Sequence, residues 1–136
     1  MPKLSEATLL QLIANGETNI VELKRASPRP TEMAERLCGM ANAQGGIIIV
    51  GVEDADLKII GIPHDRVALT TDVILRAARQ IEPKLLLNPP EPEIYEVDGK
   101  RLIVATVPRY MERLGSGIRL MLSETRRLGL PVPQFR

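Results

Sequence analysis

The stretch Asn42-Ala43-Gln44-Gly45-Gly46-Ile47-Ile48-Ile49-Val50-Gly51-Val52-Glu53-Asp54 decides the fold. Its first five residues stop a helix, with Gly45 as the left-handed cap. Ile47 to Val52 is apolar apart from Gly51. An unbroken apolar run without alternation is the pattern of a central strand covered on both faces. Glu53-Asp54-Ala55-Asp56 then turns the chain into a second strand expected at Leu57 to Ile62. Helices must therefore lie on both sides of a sheet.

Working upstream, Thr31 is placed to cap a helix that buries Met33, Leu37 and Met40 or Ala41. Pro28 and Pro30 separate it from Asn19-Ile20-Val21-Glu22-Leu23-Lys24-Arg25, whose alternation fits a strand. On that strand Glu22 and Lys24 share one face and Val21 and Leu23 the other. A first helix starts at Ser5, carries Leu9, Leu12 and Ile13 as its apolar stripe, and ends at Gly16. Downstream, a third helix is expected to start at Thr70, Thr71 or Asp72, bury Ile74, Ala77, Ala78 and Ile81, and end before Pro83. Asp98-Gly99 between Glu93–Val97 and Arg101–Val107 signals a hairpin. The fold class is α+β: a mixed sheet of about five to six strands with two or three packed helices, plus a C-terminal helix.

The 136 residues carry 18 basic and 17 acidic side chains, for a formal net charge of +1. That balance excludes a histone-like binder and an acidic disordered tail. The charge is uneven, however. Residues 1–108 hold 12 basic and 15 acidic side chains, a net of −3, whereas residues 109–136 hold 6 and 2, a net of +4. Tyr95, Tyr110 and Phe135 are the whole aromatic inventory, so no base-stacking platform can be built. Cys38 is the single cysteine and reads as a small core residue on a helix. No leader and no membrane-length apolar run is seen, so the expectation is a cytoplasmic protein with no membrane partner.

Chemistry-bearing residues are few. His64 lies in a Pro63-His64-Asp65 turn with no nucleophile motif beside it, and no phosphate-loop fingerprint follows the glycines. Gly115-Ser116-Gly117 is a weak phosphate signal that a turn explains equally well. Glu17 and Glu22 sit five apart around the start of the first strand, and Glu53 and Asp54 end the central one. Were those strands neighbours, the carboxylates could converge with Lys24 on Mg²⁺ or Mn²⁺ and clamp a phosphate. The same spacing also fits Glu22 paired with Lys24 or Arg25 and a solvated Glu53–Asp56 turn.

Taken together, Leu12-Ile13-Ala14-Asn15-Gly16-Glu17, Val21-Glu22-Leu23-Lys24-Arg25, Met40-Ala41-Asn42-Ala43-Gln44-Gly45-Gly46 and Ile49-Val50-Gly51-Val52-Glu53-Asp54, continued by Ile59-Ile60-Gly61-Ile62, resemble the Schlafen AlbA-type domain. The resemblance covers about residues 5–108. It implies a nucleic-acid-binding domain, with DNA the favoured partner, of the kind that stands at the front of bacterial proteins described as transcriptional regulators. It also implies an alternative, since a related core in animal Schlafen proteins cleaves RNA with acidic residues. Those fall on positions like Glu17 and Glu22, with the third near Glu53 or Asp54.

Residues 109–136 form a separate basic tail with helical spacing at Leu114, Ile118, Met121 and Leu122. Tyr110–Ile118 and Gly129–Phe135 are similar to a segment far downstream in full-length regulators of this family, within an ATPase-like domain. The expectation is a remnant left by internal deletion, without the parts that would hold ATP. Its apolar stripe needs cover, and a homodimer through the C-terminal helix supplies it.

In the leading reading Lys24, Arg25, Arg29, Arg113, Arg119, Arg126 and Arg127 contact phosphates, with no metal and no cofactor. In the alternative, a metal-dependent endoribonuclease, Glu17, Glu22 and Glu53 or Asp54 bind Mg²⁺ or Mn²⁺ and Lys24 steadies the phosphate. A third reading is a degenerate remnant that only self-associates.

Overall fold

The computed structural model describes residues 4–110 and the backbone of residues 119–120. Helix α1 spans Glu6–Asn15, with the Ser5 hydroxyl accepting from Thr8 N–H and Gly16 closing it at a φ of 76°. Strand β1 is Val21–Lys24, α2 is Pro30–Asn42, and β2 is Gly46–Val50. A single 3₁₀ turn at His64–Arg66 leads into α3, Val67–Arg79. Then come β3 (Ile81–Glu82), β4 (Glu93–Val97), β5 (Lys100–Val107) and β6 (Arg119–Leu120).

The expected α+β class holds, and the six strands divide into a four-stranded sheet ordered β1-β2-β5-β4 and a two-stranded β3-β6 pair. β1 and β2 run parallel with α2 as their crossover, while β2-β5 and β5-β4 are antiparallel. The mixed character follows from the connections: a helix returns the chain to a parallel neighbour, and a two-residue turn can only make an antiparallel one. At that turn Asp98 and Gly99 both take positive φ, 50° and 75°.

The sheet is covered on both faces, as the β2 sequence demanded. On one side α1 lays Leu9 and Ile13 over Val21, Leu23, Ile47, Ile49, Leu102 and Val104. On the other, α2 and α3 lay Met33, Leu37, Ile74 and Ala77 over Ile48, Val50, Ile103 and Ala105. Consecutive β2 residues alternate between these two cores. Truncating any of the fully buried leucines or isoleucines to Ala costs about 2–5 kcal/mol.

Four local expectations are corrected. Leu57–Ile62 is no strand: only a Val52–Ile59 bridge forms, and Leu57 sits at a φ of 61°. Instead the segment crosses the end of the sheet, with Ile60 and Gly61 N–H donating to Gly51 O and Ile62 N–H to Arg101 O. Arg29 rather than Thr31 precedes α2, because Pro30 at the first helical position supplies the preset φ and its missing N–H would have had no partner within the helix. α3 begins at Val67, since the His64–Arg66 turn already winds the chain before Thr70. Arg119–Leu120, inside the segment read as a C-terminal helix, is extended and pairs with Ile81–Glu82. Ladder bonds to β3 override the helical spacing there. The other residues and features expected of the tail, Arg113, Arg126, Arg127, the Gly115–Gly117 turn and the dimer-forming helix, lie outside the described residues.

Candidate nucleic-acid interface

Strand β1 lies at one edge of the four-stranded sheet, and its register sets the direction of every charged side chain on it. Glu22 and Lys24 pair with Ile48 and Val50, so both point to the α2–α3 side. Lys24 Nζ lies 3.3 Å from Glu22 Oε2, and Arg36 Nε on α2 lies 3.6 Å from the same oxygen. Glu22 is 13% exposed, so a half-buried carboxylate is answered by two cations. Around this cluster two shallow grooves open, lined by Lys24, Glu32, Glu35 and Arg36 in one case and by Glu22, Glu35 and Arg36 in the other. Both mix charges of either sign.

The remaining candidate carboxylates go elsewhere. Glu17 Oε2 accepts the Leu23 N–H at 2.9 Å, on the edge strand. Glu53 lies beyond the end of β2 with its Oε1 3.3 Å from Arg25 Nη1. Asp54 is exposed in the turn that follows. Lys24 is thus joined to Glu22, and Arg25 to Glu53, while Glu17 and Asp54 enter neither pair. Among the described residues no group of three or more His, Cys, Asp or Glu side chains is placed to hold a metal ion.

Of the predicted phosphate contacts, Arg25 and Arg29 are the open ones, at 67% and 86% exposure. Lys24 is drawn inward to Glu22 and is 30% exposed. Arg119 is placed only by its backbone, in β6.

A third groove, of about 450 Å³, lies between the Ile60–His64 crossing and the start of β5. Arg25, His64, Lys100 and Arg101 line it and no carboxylate does. Gly61 makes this closeness feasible. Its φ is +84°, and a Cβ there would stand 2.9 Å from Lys100 Cβ. Lys100 Nζ donates to Ile59 O at 3.1 Å, which ties the hairpin to the crossing. Sequence reasoning missed Arg36, Lys100 and Arg101. The basic pair directly after the Asp98-Gly99 turn was a usable signal for the last two, because a hairpin tip projects its flanking side chains to the sheet end.

Cys38 is fully buried on α2, and burial pushes its thiol up to about 11. It belongs to the core, as expected. Burial also raises the Tyr95 phenol, with the Glu93 carboxylate adding to the shift.

Comparison with known proteins bears on the fold and the family. Among curated proteins none is significantly similar to the chain. Solved structures that share the fold include one from Corynebacterium diphtheriae and one from Nitrosomonas europaea. The DIP2311 protein from Corynebacterium diphtheriae superposes with a TM-score of 0.54 at 19% identity. That match covers 85% of this chain but only 23% of the other, so the chain spans about a quarter of that protein's length. The N-terminal domain of a Nitrosomonas europaea protein described as related to the ATP-dependent DNA helicase RecG gives 0.56 at 22% identity, covering 80% and 76% of the two chains. The family model described as Schlafen, AlbA_2 matches residues 17–123. The match takes in β1 with Glu17, the Gly45-Gly46 turn, the central strand and the hairpin, and on this evidence the chain belongs to the Schlafen AlbA_2 family.

Proposed function

We propose that the chain is a nucleic-acid-binding domain, with DNA as the favoured partner, of the kind carried at the front of bacterial transcriptional regulators. The observation that carries this reading is the state of Arg25 and Arg29 beyond the end of β1. Both are mostly exposed, and each meets a single carboxylate, Glu53 at 3.3 Å and Glu32 at 3.9 Å. Exposed ion pairs of this kind contribute about 0–1 kcal/mol, so a phosphate displaces the carboxylate at little cost. A guanidinium also matches phosphate in two-pronged geometry. The Nitrosomonas europaea neighbour, named for its relation to a DNA helicase, fits the same reading.

Binding of this type is made through the phosphate backbone and is salt-sensitive. Gel shifts with duplex DNA at low ionic strength test it: a retarded complex that salt dissolves is expected, and no complex at any salt concentration sinks the proposal. The basic tail adds contacts in this picture, and a cytoplasmic homodimer closed by that tail completes it. Light scattering on the eluting protein checks the dimer, with a monomer mass as the contrary result.

The endoribonuclease reading draws on Glu22 and Lys24 being together. It needs Glu17 and Glu53 or Asp54 around the same ion, and these residues sit with other partners or in solvent. Chelator-sensitive RNA cleavage with Mn²⁺ that Glu22→Ala abolishes would restore it.

A further inference from the structure

We propose that the groove between the Ile60–His64 crossing and the β4–β5 hairpin is a phosphodiester site, in which Arg25, Lys100 and Arg101 receive backbone phosphates of a nucleic-acid strand. The assignment rests on the nucleic-acid reading above and extends it from Arg25 to Lys100 and Arg101, which neither the motifs nor the sequence singled out. Three cations from two distant parts of the chain are gathered there, and no carboxylate lines the groove. In a body whose residues 1–108 carry a net charge of −3, such a gathering runs against the average.

The individual side chains have donors to spare. Lys100 uses one of its three ammonium hydrogens on Ile59 O. Arg101 makes no ion pair with any described residue, although Glu96 lies opposite it across the β4–β5 ladder. Its backbone is pinned by Ile62 N–H donating to Arg101 O at 2.8 Å, so the guanidinium is carried on a fixed strand rather than a loose loop. Lys100 and Arg101, being adjacent on a strand, leave opposite faces of the sheet. Both line the groove because it sits at the sheet's end, where they straddle it.

The form of the groove selects the ligand. It is an open trough with Gly61 and Ala26 among its lining and no Phe, Tyr or Trp. Spread cations in an open trough hold a lone anion weakly, whereas a polyanion engages several at once and releases its counterions. With His64 as its sole aromatic ring, the trough holds the strand by its phosphates, contacts that carry no sequence information. An acidic polypeptide is also a polyanion, but its charges are irregular, while a nucleic-acid strand repeats one every ~3.4 Å.

The test is fluorescence anisotropy with the full chain and end-labelled mixed-sequence 20-mers, as duplex and as single strand, between 50 and 200 mM salt. Four proteins are compared: wild type, the Lys100→Gln/Arg101→Gln double variant, Lys100→Gln alone, and Arg36→Gln on the α2 side. The double variant is expected to bind roughly tenfold more weakly, with the log–log salt slope on duplex reduced by about 1.8, or 0.9 per lost charge. Arg36→Gln is expected to bind within about twofold of wild type. Lys100→Gln alone, at an exposed position, keeps the test intact should the double variant melt early. Wild-type binding left unchanged in affinity and slope by the double variant overturns the groove and leaves the nucleic-acid reading standing. No wild-type binding at 50 mM salt overturns both. Displacement of the oligonucleotide by polyglutamate at equal charge concentration also overturns the assignment, in favour of an acidic protein partner.

Discussion

Two charged regions of this small domain part at the end of β1, between the consecutive residues Lys24 and Arg25, and differ in how their charges are spent. Under α2, Lys24 and Arg36 converge on Glu22, and the neighbouring grooves mix Glu32 and Glu35 with these cations. At the sheet end, Arg25, Lys100 and Arg101 line a groove with no carboxylate in its wall. The first region is electrostatically closed and contributes to holding α2 on the sheet. The second is open: Arg25 meets only Glu53, which is not in the groove wall, and Lys100 and Arg101 pair with no carboxylate among the described residues, so an outside anion can enter. Counting charges by sequence position cannot distinguish them. What matters is whether the counter-charge sits half-buried among the cations, as Glu22 does, or outside the groove they line, as Glu53 does.

The largest expected effect comes from destroying the open region. Gly61→Val places a β-branched side chain at a φ of +84° with its Cβ 2.9 Å from that of Lys100. The left-handed backbone and the forced separation of crossing and hairpin together cost about 2–4 kcal/mol. Urea unfolding should show that loss, together with weakened oligonucleotide binding at temperatures where the variant is still folded. Unaltered binding by a folded Gly61→Val protein would detach the groove from the function.

The interior beneath α2 offers the next effect. Burial raises the Cys38 thiol from 9.0 to about 11. The folded protein therefore keeps a proton that the unfolded chain releases. Stability from this source is complete below pH 9 and is lost as pH rises from about 9 to about 11, by about 2–3 kcal/mol in all. Thermal melts of wild type against Cys38→Ala across that window should converge as the pH climbs. Parallel curves would mean the thiol is open to water and the α2 side is less closed than described.

Glu22→Gln inverts the closed region. It leaves Lys24 and Arg36 without their shared carboxylate at a cost of about 1–2 kcal/mol, held down by the exposure of the two cations. It also removes one negative charge from the α2 side, leaving Lys24 and Arg36 beside Glu32 and Glu35. Oligonucleotide affinity should rise a few-fold at 50 mM salt, and a fall would show that Glu22 itself serves the ligand.

The smallest effect on stability belongs to Arg25→Ala, within about 0.5 kcal/mol, because its pair with Glu53 is exposed. Its binding should nevertheless weaken, which separates function from folding at one position. Equal binding would move Arg25 out of the interface.

How far the sequence alone reaches depends on the distance over which each feature is determined. The Ser5 cap, the Gly16 and Gly45 stops and the Asp98-Gly99 hairpin were legible, since each is set within a few residues. The two-sided burial of β2 was legible too, from its unbroken apolar run. Leu57–Ile62 misled, because its apolar alternation serves a crossing held by Gly51 O and Arg101 O rather than a ladder. Of the candidate site, the Glu22–Lys24 partnership could be read from alternation on one strand. The separate fates of Glu17 and Glu53, one at the strand edge and one on Arg25, could not, because they depend on which donors the fold presents. Lys100 and Arg101 escaped for the same reason: only the crossing at Gly61 brings the hairpin beside the end of β1.

The central claim, that this domain meets nucleic acid through phosphate contacts at the open sheet end, is tested most directly by the salt dependence of duplex binding. With Arg25, Lys100 and Arg101 each neutralising one phosphate, the slope of log K against log salt should be about −2.7 or steeper. A flat slope, or no complex at 50 mM salt, would contradict it.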